Sequence, residues 1–151
     1  MPTDTKFLRT FSCFRDLSDD QLEAIAKFSD AICYMPDHIL FREGEPGKNI
    51  YFLVKGKVEV LYNISEDGEA RVDTITGEEI AGCSVLIEPY TYTATERSLT
   101  EIEVLVVEAS ALRELMQKDC RFGMLMQQRI IKVLMDRILN LRLGVHHPIH
   151  S

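Results

Sequence analysis

The stretch Phe41–Val60, FREGEPGKNIYFLVKGKVEV, decides how the rest of the chain is read. It opens with the turn cluster Gly44-Glu45-Pro46-Gly47, in which Pro46 presets φ and the two glycines allow positive φ. An apolar run from Ile50 to Val54 leads to a second turn at Lys55-Gly56. Beyond it Val58, Val60 and Tyr62 alternate with Glu59, Leu61 and Asn63. Two β runs joined by a glycine turn predict a hairpin in a half-buried antiparallel sheet.

Moving outward, Ser65-Glu66-Asp67-Gly68 predicts a further hairpin turn between Val58–Ile64 and Ala70–Thr76. Strand composition returns at Tyr92–Arg97 and at Ile102–Val107, with a break at Thr100-Glu101. Between them Gly77 to Tyr90 holds Gly82, small residues and Pro89, a pattern suited to a short helix plus loop. Several short strands at this spacing predict a roll or jelly-roll barrel.

Helices flank this β region. A short apolar one is expected around Phe7, Leu8 and Phe11. Next, Ser18-Asp19-Asp20-Gln21 forms a capping box, with Leu17 and Leu22 as its hydrophobic staple. Leu22, Ile25 and Ala26, then Phe28 and Ile32, mark the buried face of a helix ending near Ser29. Downstream, Ser110 is the expected N-cap of a short helix through Met116, and a long helical pattern runs from about Cys120 to Leu143. Met124, Gln127, Ile131, Leu134, Ile138 and Leu141 follow 3–4 spacing, while Met126, Ile130 and Val133 form an adjacent stripe. That is more apolar face than one barrel can cover. We expect one stripe to pack on the roll and the other on a second copy, giving a parallel, coiled-coil-like homodimer. The alternative is a helix folded wholly onto its own domain. The expected class is thus α+β, mainly β: an antiparallel β-roll or jelly-roll barrel with N-terminal helices and a long C-terminal helix. Residues 1–30 hold the first helices, 31–108 the roll with an irregular segment at 77–95, 109–144 the last helices and 145–151 a tail, all in one domain.

Composition narrows the function classes. At 151 residues the chain is long enough for a single core. Its 46% hydrophobic and 27% charged residues are those of an ordinary soluble domain. No apolar run approaches the ~20 residues of a membrane helix, and MPTDTKFLRT lacks the apolar stretch of a signal peptide, so a cytoplasmic location is expected. A formal charge of −7 with no basic stripe argues against nucleic-acid binding. With seven residues after Gly144, no helix-turn-helix is expected. Cys13, Cys33, Cys83 and Cys120 lie far apart, which argues against a zinc site or disulfide framework and fits free thiols. His146, His147 and His150 sit in a tail interrupted by Pro148, where ligand geometry is not preset, so no metal site is expected. The chain carries no GxSxG, P-loop, HExxH or dinucleotide fingerprint, and an enzyme is not expected.

The pattern Gly44…Gly47-x-x-Ile50-Tyr51…Gly56-x-Val58-x-Val60 resembles the middle of a cyclic nucleotide-binding domain, and the resemblance extends over roughly Leu8 to Leu143. It implies a small β-roll with flanking helices, a regulatory role, and a ligand cassette between the middle strands. In the family a short helix after a Gly-Glu-x-Ala-Leu motif aims backbone N–H groups at the cyclic phosphate, as orphan donors at a helix start favour an anion. The glutamate accepts from the ribose, and an arginine in an Arg-x-Ala-Thr or Arg-x-Ala-Ser run pairs with the phosphate. On this sequence the motif glycine falls on Gly82, the glutamate on Cys83, and the Ala-Leu pair on Val85 and Leu86. The arginine falls on Tyr92, followed by Thr93, Ala94 and Thr95. The frame is kept and both charged contacts are replaced.

Hydrogen bonds to charged groups contribute roughly 1.5–3 kcal/mol each, so losing two costs about 3–6 kcal/mol. That weakens binding by roughly 10² to 10⁴. Arg97 lies at an odd offset from Tyr92, which turns it to the other face of a regular strand. The resemblance therefore implies a sensor domain that does not hold cyclic AMP or cyclic GMP tightly. Three readings of the pocket stand open. Tyr92 and apolar neighbours fill it, leaving a dimerising module that meets a protein partner. It takes a different small molecule, lined by Gly82, Cys83, Ser84, Val85, Leu86, Tyr92, Thr93 and Ala94. Or it holds cyclic nucleotide weakly through its backbone. Cys83 has two readings of its own: a small packed residue, or a thiol whose pKa the helix start lowers.

Overall fold

A computed structural model describes residues 3–65, 68–76 and 79–146. The chain runs α1 (Thr5–Arg9), α2 (Asp19–Ala26), β1 (Ser29–Tyr34), β2 (Ile39–Phe41), β3 (Asn49–Lys55) and β4 (Lys57–Ser65). It continues through β5 (Gly68–Thr76), β6 (Ile80–Ala81), a 3-10 helix (Cys83–Leu86), β7 (Thr95–Ser98), β8 (Ile102–Glu108), α3 (Ala109–Lys118) and α4 (Cys120–His146). Two antiparallel sheets of four strands, ordered β1-β8-β3-β6 and β2-β7-β4-β5, make the roll. Mainly β, with helices at both ends, this is the architecture expected of the sequence.

The Gly56 turn differs from its sequence reading. β3 and β4 do not form a hairpin, because they belong to different sheets. β3 pairs with β8 and β4 with β7, so two paired strands cross from one sheet to the other side by side. Gly56 sits at that corner with φ +96°, and a Cβ there would lie 2.5 Å from the Glu101 carbonyl oxygen. The partner segment lies beyond the reach of a local pattern, with Lys57 bonded to Thr100 at a separation of 43 residues. β4 and β5 do pair consecutively, with Ser65 opposite Gly68; the turn residues 66–67 lie outside the described residues. A register shift between Val60 and Leu61 also reverses the alternation in β4, so that Leu61 is buried and Tyr62 exposed. Glu59, which alternates with Val58 and Val60 in the sequence, is buried as they are and paired with Arg97.

The N-terminal helices behave as their caps dictate. Ser18 Oγ accepts from the Gln21 backbone N–H, and the Gln21 side chain accepts from the Ser18 N–H. The same Gln21 donates to Asp119 at 2.8 Å, tying α2 to the α3–α4 junction. The helix stops at Ala26, earlier than the apolar spacing suggested, and Ile32 belongs to β1 instead. Phe11 and Phe14 pack edge-on and tilted against Phe52 of β3, closing one end of the core. Ser110 is not a cap: α3 starts two residues earlier than expected, after Glu108, and the Ser110 hydroxyl bonds the Glu108 carboxylate.

α4 divides its faces. Phe122, Met126 and Ile130 are buried in the core, and Val133 packs against it. Met124, Ile131 and Ile138 are more than half exposed, Leu134 is 38% exposed, and Gln127 is exposed as well. The Leu141 side chain lies outside the described residues, as do His147 and His150. Two arginines tether the helix to the roll. Arg129 donates to Ser12 O and pairs with Asp16; Arg137 donates to Ile80 O at 2.8 Å and reaches Glu79 at 3.4 Å.

Candidate functional site

The turn that opens the deciding stretch also builds the site. Gly44 N–H donates to Tyr92 O, Tyr92 N–H to Glu45 O, and Gly47 N–H to Tyr90 O, while Pro46 bridges Thr91. The 44–47 turn thereby clamps the segment that leads into β7. On the other side of the site, Gly82 takes φ +82°, and a Cβ there would come within 3.1 Å of the Tyr92 ring. Glycine is required twice over, for the left-handed turn and for the close approach. The chain then enters the 3-10 helix Cys83–Leu86. Residues 77–78, at the start of the expected cassette, lie outside the described residues. Arg113 of α3 donates to Val85 O at 2.7 Å and lies 4.1 Å over the Tyr90 ring, holding the segment from the helix side.

Between the 3-10 helix, β4, β7 and α4 lies a cavity of about 570 Å³. Of the residues expected to line it, Gly82, Cys83, Ser84, Leu86, Thr93 and Ala94 do. Val85 and Tyr92 do not. Val85 is fully buried and turned into the core. Tyr92 is only 5% exposed; its ring stacks on Phe41 at 3.9 Å. Its hydroxyl donates to Asn49 O at 2.7 Å and accepts from Asn49 N–H at 3.2 Å. Burial raises its pKa, so it stays a neutral phenol.

Cys83 is not an activated thiol. Burial pushes it up to about 12; nearby Arg137 pulls the other way and nearby Glu96 adds to the rise. Arg97 faces away from the cavity and is committed to Glu59.

Sequence reasoning missed part of the wall. α4 contributes Gln127, Ile130, Ile131, Leu134 and Arg137, and α3 contributes Met116. Gln127, Ile131 and Leu134, read only as dimer-face positions, are therefore also wall residues. Arg137 follows Ile130 and Val133 at helical spacing, so a cation on the roll-facing stripe was the available signal. Its Nε is buried, with no hydrogen-bond partner among the described residues. Glu96, 5% exposed, also lines the cavity. It lies in register with Val60 across β4 and next to Phe41 across β2, on the face opposite Glu59 and Arg97. The cavity is apolar over most of its wall, with an acid and a base set into it. Among the described residues no group of His, Cys, Asp and Glu is placed to hold a metal ion. No helix of the described residues is long and apolar enough to cross a membrane.

A family model described as cyclic nucleotide-binding domain matches residues 31–119. A "CRP-like cAMP-activated global transcriptional regulator" of Mycobacterium tuberculosis is 27% identical over 101 residues, covering 66% of this chain and 45% of the regulator. The chain thus spans less than half the length of that curated relative. A solved structure of a candidate cyclic nucleotide-binding protein from Geobacter metallireducens GS-15 superposes with TM-score 0.81 at 26% identity, covering 90% of this chain and 98% of the other. The sensor domain of the transcriptional regulator DNR from Pseudomonas aeruginosa shares the fold, with TM-score 0.71 at 21% identity and coverage of 89% and 90%.

Proposed function

Because this chain belongs to the cyclic nucleotide-binding domain family, we propose that it is a non-enzymatic regulatory domain whose cassette has given up tight binding of cyclic nucleotides. One observation carries this reading. Tyr92, at the position of the phosphate-pairing arginine, is neutral, buried and engaged with Asn49 and Phe41. It offers a phosphate neither charge nor access. Cys83, at the position of the ribose-binding glutamate, is a protonated thiol and a weak acceptor. The open cavity favours a small-molecule sensor over a module with a permanently filled cassette, since Tyr92 packs beside the space without occupying it.

In this reading α4 carries the output. It forms one wall of the cavity and presents Met124, Ile131 and Ile138 outward, where a second copy would cover them in a homodimer. A ligand that prefers one position of the helix shifts the population of that position, and with it the dimer or a protein partner.

A thermal-shift screen tests the proposal, because a ligand bound only by the folded state raises the melting temperature. Millimolar cyclic AMP and cyclic GMP are expected to leave it unchanged, while a member of a metabolite panel raises it. A rise of several degrees with either cyclic nucleotide overturns the reading. A panel without a single shift favours the purely structural dimerisation module instead.

A further inference from the structure

Resting on the reading that the cassette no longer recognises phosphate, we propose that the cavity takes an elongated, largely apolar molecule ending in an oxygen acceptor, and that Arg137 binds that acceptor. The helix wall sets the shape. Gln127, Ile130, Ile131, Leu134 and Arg137 line the cavity at helical spacing, on one face of α4. With a rise of about 1.5 Å per residue, Gln127 and Arg137 lie roughly 15 Å apart along the helix, and the wall residues between them are aliphatic. Phe41, Val60 and Leu86 add apolar wall from the roll. The volume, about 570 Å³, falls within the ~300–1,000 Å³ of small-molecule pockets. An apolar body gains by leaving water for such a wall.

The Arg137 end of the strip is short of an acceptor. A guanidinium carries five N–H donors in a planar fork. Both bonds that Arg137 makes within the described residues leave from Nη2, to Ile80 O at 2.8 Å and to Glu79 at 3.4 Å. Its Nε is buried and has no partner among the described residues. A buried donor left without an acceptor costs the fold the desolvation of that group, and more when the group is charged. Among the described residues Arg137 is also the only cation lining the cavity. An oxygen at the end of an apolar ligand, a carbonyl being the simplest, supplies the missing acceptor. A hydrocarbon of the same shape leaves the guanidinium as it is.

Two uncharged dyes of one scaffold isolate the acceptor from the shape: the ketone propionyl-dimethylaminonaphthalene and its propyl analogue, in which a methylene replaces the carbonyl. Fluorescence titration of the full chain should show saturable binding of the ketone at one site per chain. The ratio of ketone to propyl affinity should be at least about tenfold higher in the wild type than in Arg137→Met, which keeps an apolar stem and removes the donors. A helix merely loosened by that variant would weaken both dyes alike and leave the ratio unchanged, and an unchanged ratio overturns the proposal. If Arg137→Met does not fold, the infrared carbonyl band of the bound ketone decides. It should lie at lower frequency than in hexane, and an unshifted band overturns the proposal. Thr93→Trp, at an exposed wall position, should abolish binding of both dyes by filling the cavity. Ketone binding that survives Thr93→Trp, or no saturable binding to the wild type, overturns the proposal as well. Cyclic AMP is added as a competitor in the same assay. Displacement of the ketone by micromolar cyclic AMP overturns the underlying reading, whereas an unchanged dye ratio without displacement overturns this inference alone.

Discussion

In the proposed reading Tyr92 stands where the family's phosphate-pairing arginine would be. An arginine at this position would need solvent or an anion for its charge; a phenol is stable against Phe41 with its hydroxyl on the Asn49 backbone. Tyr92→Phe leaves both Asn49 groups without that partner, and urea denaturation should show a loss of about 1–3 kcal/mol. A loss within error of zero would mean the hydroxyl does not secure the ring. Cys83 gives a kinetic and a thermodynamic expectation. As a half-buried, protonated thiol it should react with iodoacetamide at neutral pH at least about tenfold more slowly than the exposed Cys33 and Cys120, read by peptide mass spectrometry. Its pKa is raised from 9.0 to about 12 on folding. The unfolded chain therefore loses this proton first. The stability tied to it is fully present below pH 9 and lost as pH rises towards 12, a fall that Cys83→Ala should reduce. The places of Gly82, Cys83, Ser84, Leu86, Thr93 and Ala94 on the cavity wall were legible through the resemblance to the family's cassette motif, whose frame this segment keeps. Val85 was not, because a short 3-10 turn sends one side chain in four into the core. Glu96 and Arg137 were hidden for a different reason: nothing local says which face of a strand or helix meets a cavity.

Among the elements, α2 and α4 were the most readable and the β3–β4 connection the least. The capping box of α2 is four consecutive residues, and its hydrogen bonds are local by construction. The Gly56 corner has its partners in Ser98–Ile102, and only the folded chain reveals that the strands on either side belong to different sheets. Gly56→Ala adds a Cβ against the Glu101 carbonyl at positive φ, and should destabilise the fold by roughly 1–3 kcal/mol in chemical denaturation. Tolerance of alanine there would contradict the corner geometry. For α4, the double variant Ile131→Lys, Ile138→Lys charges two exposed positions without entering the core. Sedimentation velocity should show a dimer for the wild type and a monomer of unchanged helical content for the variant. A wild-type monomer at tens of micromolar would remove the proposed interface.

For the whole molecule, the roll supplies a frame that keeps its shape while the chemistry inside it changes. The 44–47 turn, Gly82 and Arg113 hold the cassette in place through backbone hydrogen bonds, and these do not depend on the identity of the ligand. In the proposed reading, ligand preference rests on a few side chains around the cavity, and the two positions matched to the family's phosphate and ribose contacts hold a neutral phenol and a half-buried thiol. Isothermal titration of cyclic AMP into the full chain probes this most directly. The account predicts no saturable heat below about 1 mM. A one-to-one isotherm with a low-micromolar Kd would contradict it.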